Sequence, residues 1–168
     1  TIKPGSFLGD SKLADIDKDG YLDLVLPQDS HTSGPGYLYW YKNPKNGSTG
    51  NWSRQLIATW RDAYHIGEIE VADMDGDGKL DVVVRHLGTK SVRICFQNSP
   101  IDWTTRTLPV RNREGLKLAD LDRDGKTDII LNGFWWAAPS NPRTGSYSEF
   151  IIDKTFYTQP VEGLNNST

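Results

Sequence analysis

Twelve aspartates fall in three nine-residue stretches with the composition of an oxygen-ligand cation site: 15–23 (DIDKDGYLD), 73–81 (DMDGDGKLD) and 120–128 (DLDRDGKTD). Each places Asp at positions 1, 3, 5 and 9 and Gly at position 6. Two carboxylates about 4 Å apart repel by roughly 1 to 4 kcal/mol in a water-like to surface-like dielectric, so each cluster requires a counter-charge. A hard cation with oxygen ligands supplies it.

An EF-hand would need a bidentate Glu at position 12, where Leu26, Val84 and Leu131 stand. The flanking runs read as strands, and position 9 is Asp each time, so the loop can close within nine residues. The expected ligand sets are Asp15, Asp17, Asp19, Asp23 and the Tyr21 carbonyl; Asp73, Asp75, Asp77, Asp81 and the Lys79 carbonyl; and Asp120, Asp122, Asp124, Asp128 and the Lys126 carbonyl. Gly at position 6 permits the sharp turn without a Cβ clash. A flexible all-oxygen loop suits Ca2+ better than Mg2+, which tends to retain water, and zinc would want His or Cys. The expectation is up to three Ca2+ ions, one per loop, with a structural role.

The formal charge of -3 says little about partners, because these loops hold 12 of the 22 acidic residues. Three bound divalent ions would turn the balance to +3. No nucleic-acid partner is expected. No apolar run approaches the length of a membrane span. A hydrophobic fraction of 36%, with 16 Gly and 9 Pro and no sustained 3.6-residue pattern, favours short strands and turns, hence an all-β chain. Cys95, the single cysteine, rules out an internal disulfide and sits in an apolar alternation, as a small buried residue would.

The elements that must position the loops recur with them. The loops start 58 and then 47 residues apart, a period close to that of propeller blades. Each interval reads as four strands, A to D: 11–14, 22–26, 36–41 and 52–57; then 68–72, 80–85, 91–96 and 103–108; then 115–119, 127–131, 134–137 and 147–152. An aromatic opens strand D each time (Trp52, Trp103, Tyr147), after a turn bearing Pro44, Pro100 or Pro142. The expected organisation is one segment with blades at about 7–59, 66–110 and 114–154 and the start of a further blade at 161–168. Three units fall short of the four to eight blades of closed propellers. The expectation is therefore a fragment of a longer protein, one piece of a cleaved one, or a subunit that completes its ring by association.

Leu13-Ala14 before the first loop, Val71-Ala72 before the second and Leu118-Ala119 before the third complete a pattern that resembles the FG-GAP and VCBS repeats. That resemblance covers nearly the whole chain. It implies integrin-like propeller blades, about seven to a ring, with calcium in the A–B hairpin and a secreted or cell-surface protein. More locally, Tyr39-Trp40-Tyr41-Lys42-Asn43-Pro44 followed by 51–57 (NWSRQLI) is similar to blades of secreted bacterial proteins and to the propeller of fungal aldos-2-ulose dehydratase. That sugar-modifying enzyme carries further domains with no counterpart here.

In such a blade the A–B and C–D turns share one edge with Asn46, while the B–C and D–A connections share the other. The second edge is expected to gather His31, His65, His86, Asp62 and a candidate ligand set of Trp60, Arg61, His65, Arg85, His86, Arg111 and Arg113. A cationic, aromatic-bearing edge suits a sugar or uronate. Trp135-Trp136 offers a sugar platform, although alternation turns at least one of them to the core. Three functions follow as expectations. The first is a calcium-stabilised extracellular binding or adhesion module for carbohydrate or a protein surface. The second is the propeller portion of a carbohydrate lyase or dehydratase using His65, His86 and nearby arginines. The third is a structural subunit assembling with other blades through its exposed faces. No Ser-His-Asp, paired-carboxylate or phosphate-loop signature stands beside these residues.

Overall fold

The repeated intervals predict twelve strands, and a computed structural model, which describes residues 10–28, 34–45, 50–61, 66–111 and 114–158, contains all of them. Blade 1 is β1 (Lys12–Ala14), β2 (Asp23–Gln28), β3 (Gly36–Lys42) and β4 (Ser53–Trp60). Blade 2 is β5 (Ile66–Ala72), β6 (Asp81–His86), β7 (Ser91–Ser99) and β8 (Asp102–Pro109). Blade 3 is β9 (Lys117–Ala119), β10 (Asp128–Leu131), β11 (Phe134–Ala137) and β12 (Ser148–Ile151). Each blade is a four-stranded antiparallel meander in chain order. A five-residue helix, α1 (Lys154–Thr158), follows blade 3; nothing in the sequence reading anticipated it. His31, Asp62, His65, Arg113, Asn46 and residues 161–168 lie outside the described residues.

The blades stack in sequence. Ladder pairing makes Leu24, Val82 and Ile129 equivalent, with partners Tyr41, Cys95 and Trp136. Val82 and Ile129 face the preceding blade, whereas Val25 and Val83, one residue on, face the next. Side chains on successive strand residues point to opposite faces, so β6, the second strand of the middle blade, is buried along its whole length. One core, between blades 1 and 2, contains Leu38, Trp40, Ile57, Ile69, Val84 and Cys95. The other, between blades 2 and 3, contains Met74, Ile94, Phe96, Ile129, Phe134 and Trp136. Removing a Val or Ile side chain from water stabilises by about 1.5–3 kcal/mol. The fold is therefore held chiefly by blade-on-blade contact. The Cys95 thiol is buried, and that burial pushes its pKa up to about 12.

Polar seams follow the same stacking. Trp40 Nε1 of blade 1 donates to the Pro100 carbonyl of blade 2 at 2.9 Å, and Arg106 Nη1 of blade 2 donates to the Pro142 carbonyl of blade 3 at 2.7 Å. The Pro-bearing turns thus supply acceptors as well as bends. The outward face of blade 1 is apolar and uncovered: Leu13 is 63% and Leu56 47% exposed, beside Tyr39, over whose ring Arg54 lies at 4.2 Å.

Candidate functional site

Each Asp loop joins the first two strands of its blade, and its positions 1, 6 and 9 play the same parts three times. The carboxylate at position 9 is fully buried in all three copies. Asp23 accepts from Ile16 N and Asn43 N at 3.0 and 2.8 Å. Asp81 accepts from Met74 N and Gln97 N at 2.9 and 2.8 Å, and Asp128 from Leu121 N and Ala138 N, both at 2.9 Å. One oxygen therefore ties down the loop while the other ties down the end of the third strand. Burial pushes the Asp81 carboxyl up to about 7, against the pull of its two N–H donors, and raises Asp23 as well.

The position-1 carboxylate folds the loop over itself. Asp15 accepts from Asp19 N and Gly20 N, Asp73 from Gly76 N and Gly78 N, and Asp120 from Asp124 N and Gly125 N. This wrap needs left-handed backbone at two places. Position 6 supplies it with Gly20, Gly78 and Gly125, at φ 88°, 84° and 86°. Position 4 is left-handed too, at Lys18, Gly76 and Arg123, with φ 58°, 75° and 62°. Only the middle loop has glycine there; the others hold an L side chain in a region that costs roughly 1–2 kcal/mol.

In each loop three carboxylates bring one oxygen apiece within 4.8 Å of one another: Asp15, Asp17 and Asp19; Asp73, Asp75 and Asp81; Asp120, Asp122 and Asp128. The sequence expectation named four per loop, whereas these triplets leave out Asp23, Asp77 and Asp124. Asp77 and Asp124 instead pair with Lys79 and Lys126, two residues on. Further cations crowd the acids. Lys42 pairs with Asp17 and Asp19, Lys45 with Asp19, and Arg143 of blade 3 reaches across to Asp75 and Asp77 of blade 2. The donor set fits a hard divalent cation: every contributed atom is a carboxylate oxygen, and Asp17 Oδ1 is buried with no hydrogen-bond donor among the described residues.

The opposite edge differs from its expected form. Arg85, the expected last residue of the second strand, and His86, just past it, were both expected to face a ligand at this edge; the structure corrects this, placing both inside β6 and fully buried between neighbouring blades. Burial lowers Arg85 to about 10 and raises the neighbouring Glu68, while Glu68 Oε1 accepts from Gly115 N of blade 3. His86 Nδ1 lies 2.6 Å from Thr89 Oγ1, and its ring runs parallel to Trp60 at 6.1 Å. Trp60 is only 6% exposed. Arg61 and Arg111 are exposed; His65 and Arg113 lie outside the described residues. Trp136 is buried in the second core, and Trp135 stacks on Phe150 at 4.9 Å on the outward face of blade 3. The sequence reading missed Arg93, a partly buried cation at the groove between blades 1 and 2. Placing the three third strands side by side would have exposed it, since its counterparts are Tyr39 and Phe134.

Three meander blades stacked face to face, each with an acidic first hairpin, define an all-β module of the propeller type. Residues 15–84 match the model of the FG-GAP-like repeat, so this region is an FG-GAP repeat. The third loop, at 120–128, lies beyond that match and repeats its geometry. No curated protein matches the chain. Among the described residues, no helix is long and apolar enough to cross a membrane.

Proposed function

We propose that the chain is a calcium-stabilised segment of an extracellular, integrin-like β-propeller and acts as a binding or adhesion module for carbohydrate or a protein surface. The observation behind this reading is the threefold convergence of carboxylate oxygens at one blade edge, two of the three loops lying within the FG-GAP-like match. In each blade the Asp triplet would hold the ion, joined by the carbonyl of Tyr21, Lys79 or Lys126. The ion supplies the counter-charge that the lysines and Arg143 meet only in part. Extracellular placement agrees with the usual setting of FG-GAP repeats.

Further blades are the natural neighbours in this reading. Leu13, Leu24 and Leu26 occupy the ladder positions at which Val71, Val82 and Val84, and likewise Leu118, Ile129 and Leu131, lie against the preceding blade. The outward face of blade 1 is thus built to receive another blade, from the same parent chain or a further subunit. The lyase or dehydratase alternative gains nothing from His86, which is buried.

Calorimetric titration of chelator-stripped protein with CaCl2 tests the metal reading. Binding of up to three ions is expected, with a higher melting temperature on saturation. Absence of binding heat together with an unchanged melt would sink it. A glycan array on the calcium-loaded protein tests the ligand class.

A further inference from the structure

Grooves open between blades 1 and 2 and between blades 2 and 3, lined at different points along the strands, and their charges are arranged differently. In the groove between blades 2 and 3, about 430 Å3, the chain supplies its own carboxylate. Glu149 accepts from Tyr157 Oη at 2.7 Å and Trp136 Nε1 at 3.2 Å, and Arg111 Nη2 stands 3.7 Å away. In blade 2 the ladder position of Glu149 is Thr105. Among the described residues no carboxylate lines the groove between blades 1 and 2, about 390 Å3, whose walls include Trp60, Arg61, Thr89, Ser91, Arg93 and Thr107.

Arg93 takes the ladder position filled by Tyr39 in blade 1 and by the fully buried Phe134 in blade 3. An arginine at a blade-interface position that its sister blades fill with aromatics breaks the repeat, and such breaks fall where function competes with packing. Its guanidinium is held by neutral groups. Nε donates to Thr107 Oγ1 at 3.2 Å, Nη1 donates to the Thr59 carbonyl at 2.8 Å, and the Trp60 ring centre lies 4.4 Å away. Nη2 has no hydrogen-bond partner and the group pairs with no carboxylate among the described residues. Burial lowers its pKa, the mark of a cation partly stripped of water without a compensating charge. The guanidinium is thus fixed in place, with donor capacity left over. A fixed, planar donor fork suits a carboxylate or sulfate.

We propose that the groove between blades 1 and 2 binds an oxyanion, the carboxylate or sulfate of an acidic saccharide, with Arg93 as the recognising group and Arg61 as a second cation at the mouth. The saccharide as carrier rests on the carbohydrate reading above; the oxyanion site rests on the groove alone. Because Trp60 is almost wholly covered, the ligand is held by its charge and not by ring stacking.

The test uses the calcium-loaded 168-residue chain, with the Arg93 Nε–Hε resonance as reporter. A glucuronic acid oligosaccharide and inorganic sulfate are titrated against a neutral glucose oligosaccharide of equal length. Saturable movement with the acidic probes and none with the neutral one is expected. Arg93→Gln should weaken acidic binding at least about tenfold, and Arg93→Lys should retain part of it. If Arg93→Gln does not fold, Arg61→Gln, at an exposed position, should still weaken binding about threefold. No movement with either acid, equal movement with the neutral sugar, or undiminished binding by folded variants overturns the site. Acidic saccharide binding that survives Arg93→Gln would leave the carbohydrate reading standing without this site. Movement with sulfate while no saccharide binds would uphold the oxyanion site and remove the carbohydrate reading.

Discussion

The two edges of this blade stack obey different rules. At the edge bearing the Asp loops, every blade repeats the same scheme: position 9 clamps the third strand, position 1 wraps the loop, and position 6 turns left-handed. Away from the loops the grooves between blades differ in chemistry, one setting Glu149 beside Arg111 and the other leaving Arg93 among neutral acceptors within the described residues. Repetition marks what a blade needs in order to be a blade. Divergence on the same scaffold marks where the blades can do separate work.

The largest expected effect comes from the clamp. Asp81→Ala leaves the N–H groups of Met74 and Gln97 buried without an acceptor and should cost about 3 kcal/mol in urea unfolding. Asp124→Ala, at an exposed rim position of the third loop, should stay within about 0.5 kcal/mol when measured in chelator. Equal losses would erase the distinction between clamp and rim.

The second effect is a pH dependence confined to the metal-free state. Burial holds the Asp81 carboxyl at about 7, above its usual 3.8, so the folded chain binds the proton more tightly than the unfolded one. The stability from that proton is complete below about 4 and is lost as pH rises towards 7. In chelator the melting temperature should therefore be higher at pH 5 than at pH 7.5, and saturating calcium should abolish that order. A chelated melt that rises over this interval would show that the two N–H donors outweigh burial.

Smaller still is the contrast at position 4. A Cβ on Gly76 would meet nothing within 4 Å, so Gly76→Ala isolates backbone strain and should cost about 1 kcal/mol. Arg123→Gly in the third loop should cost nothing or stabilise slightly. The smallest effect belongs to the opposite edge, where Arg61→Gln should change the melt by no more than about 0.5 kcal/mol. A large loss there would make that edge as structural as the loops.

Much of the fold was legible because it repeats. Twelve short runs fall in three sets of four, each with an acidic hairpin at the same place, so strand order followed with limits no more than three residues off. Part of the candidate site was not legible, for identifiable reasons. The acids at positions 1, 3, 5 and 9 look alike in sequence. Only the approach of Asn43, Gln97 and Ala138, 10 to 20 residues distant along the chain, separates the clamp from the rim. Arg85 and His86 read as the mouth of a loop because charge usually seeks water, but the middle blade is covered on both faces. Arg93 reads as an ordinary polar residue in the alternation of β7, and its place opposite Trp60 and the Thr59 carbonyl depends on how blade 1 lies against blade 2.

Sequence alone determined the local features of this protein, namely the strand period, the left-handed turns and the clustered carboxylates with their need for a cation, because each arises within a single hairpin. Tertiary structure alone decided which aspartates clamp, which cations are buried, and which groove between blades lacks a carboxylate among the described residues. Those properties depend on contacts between strands and between blades, where burial and the distance to the nearest donor or acceptor set the energy of each charge.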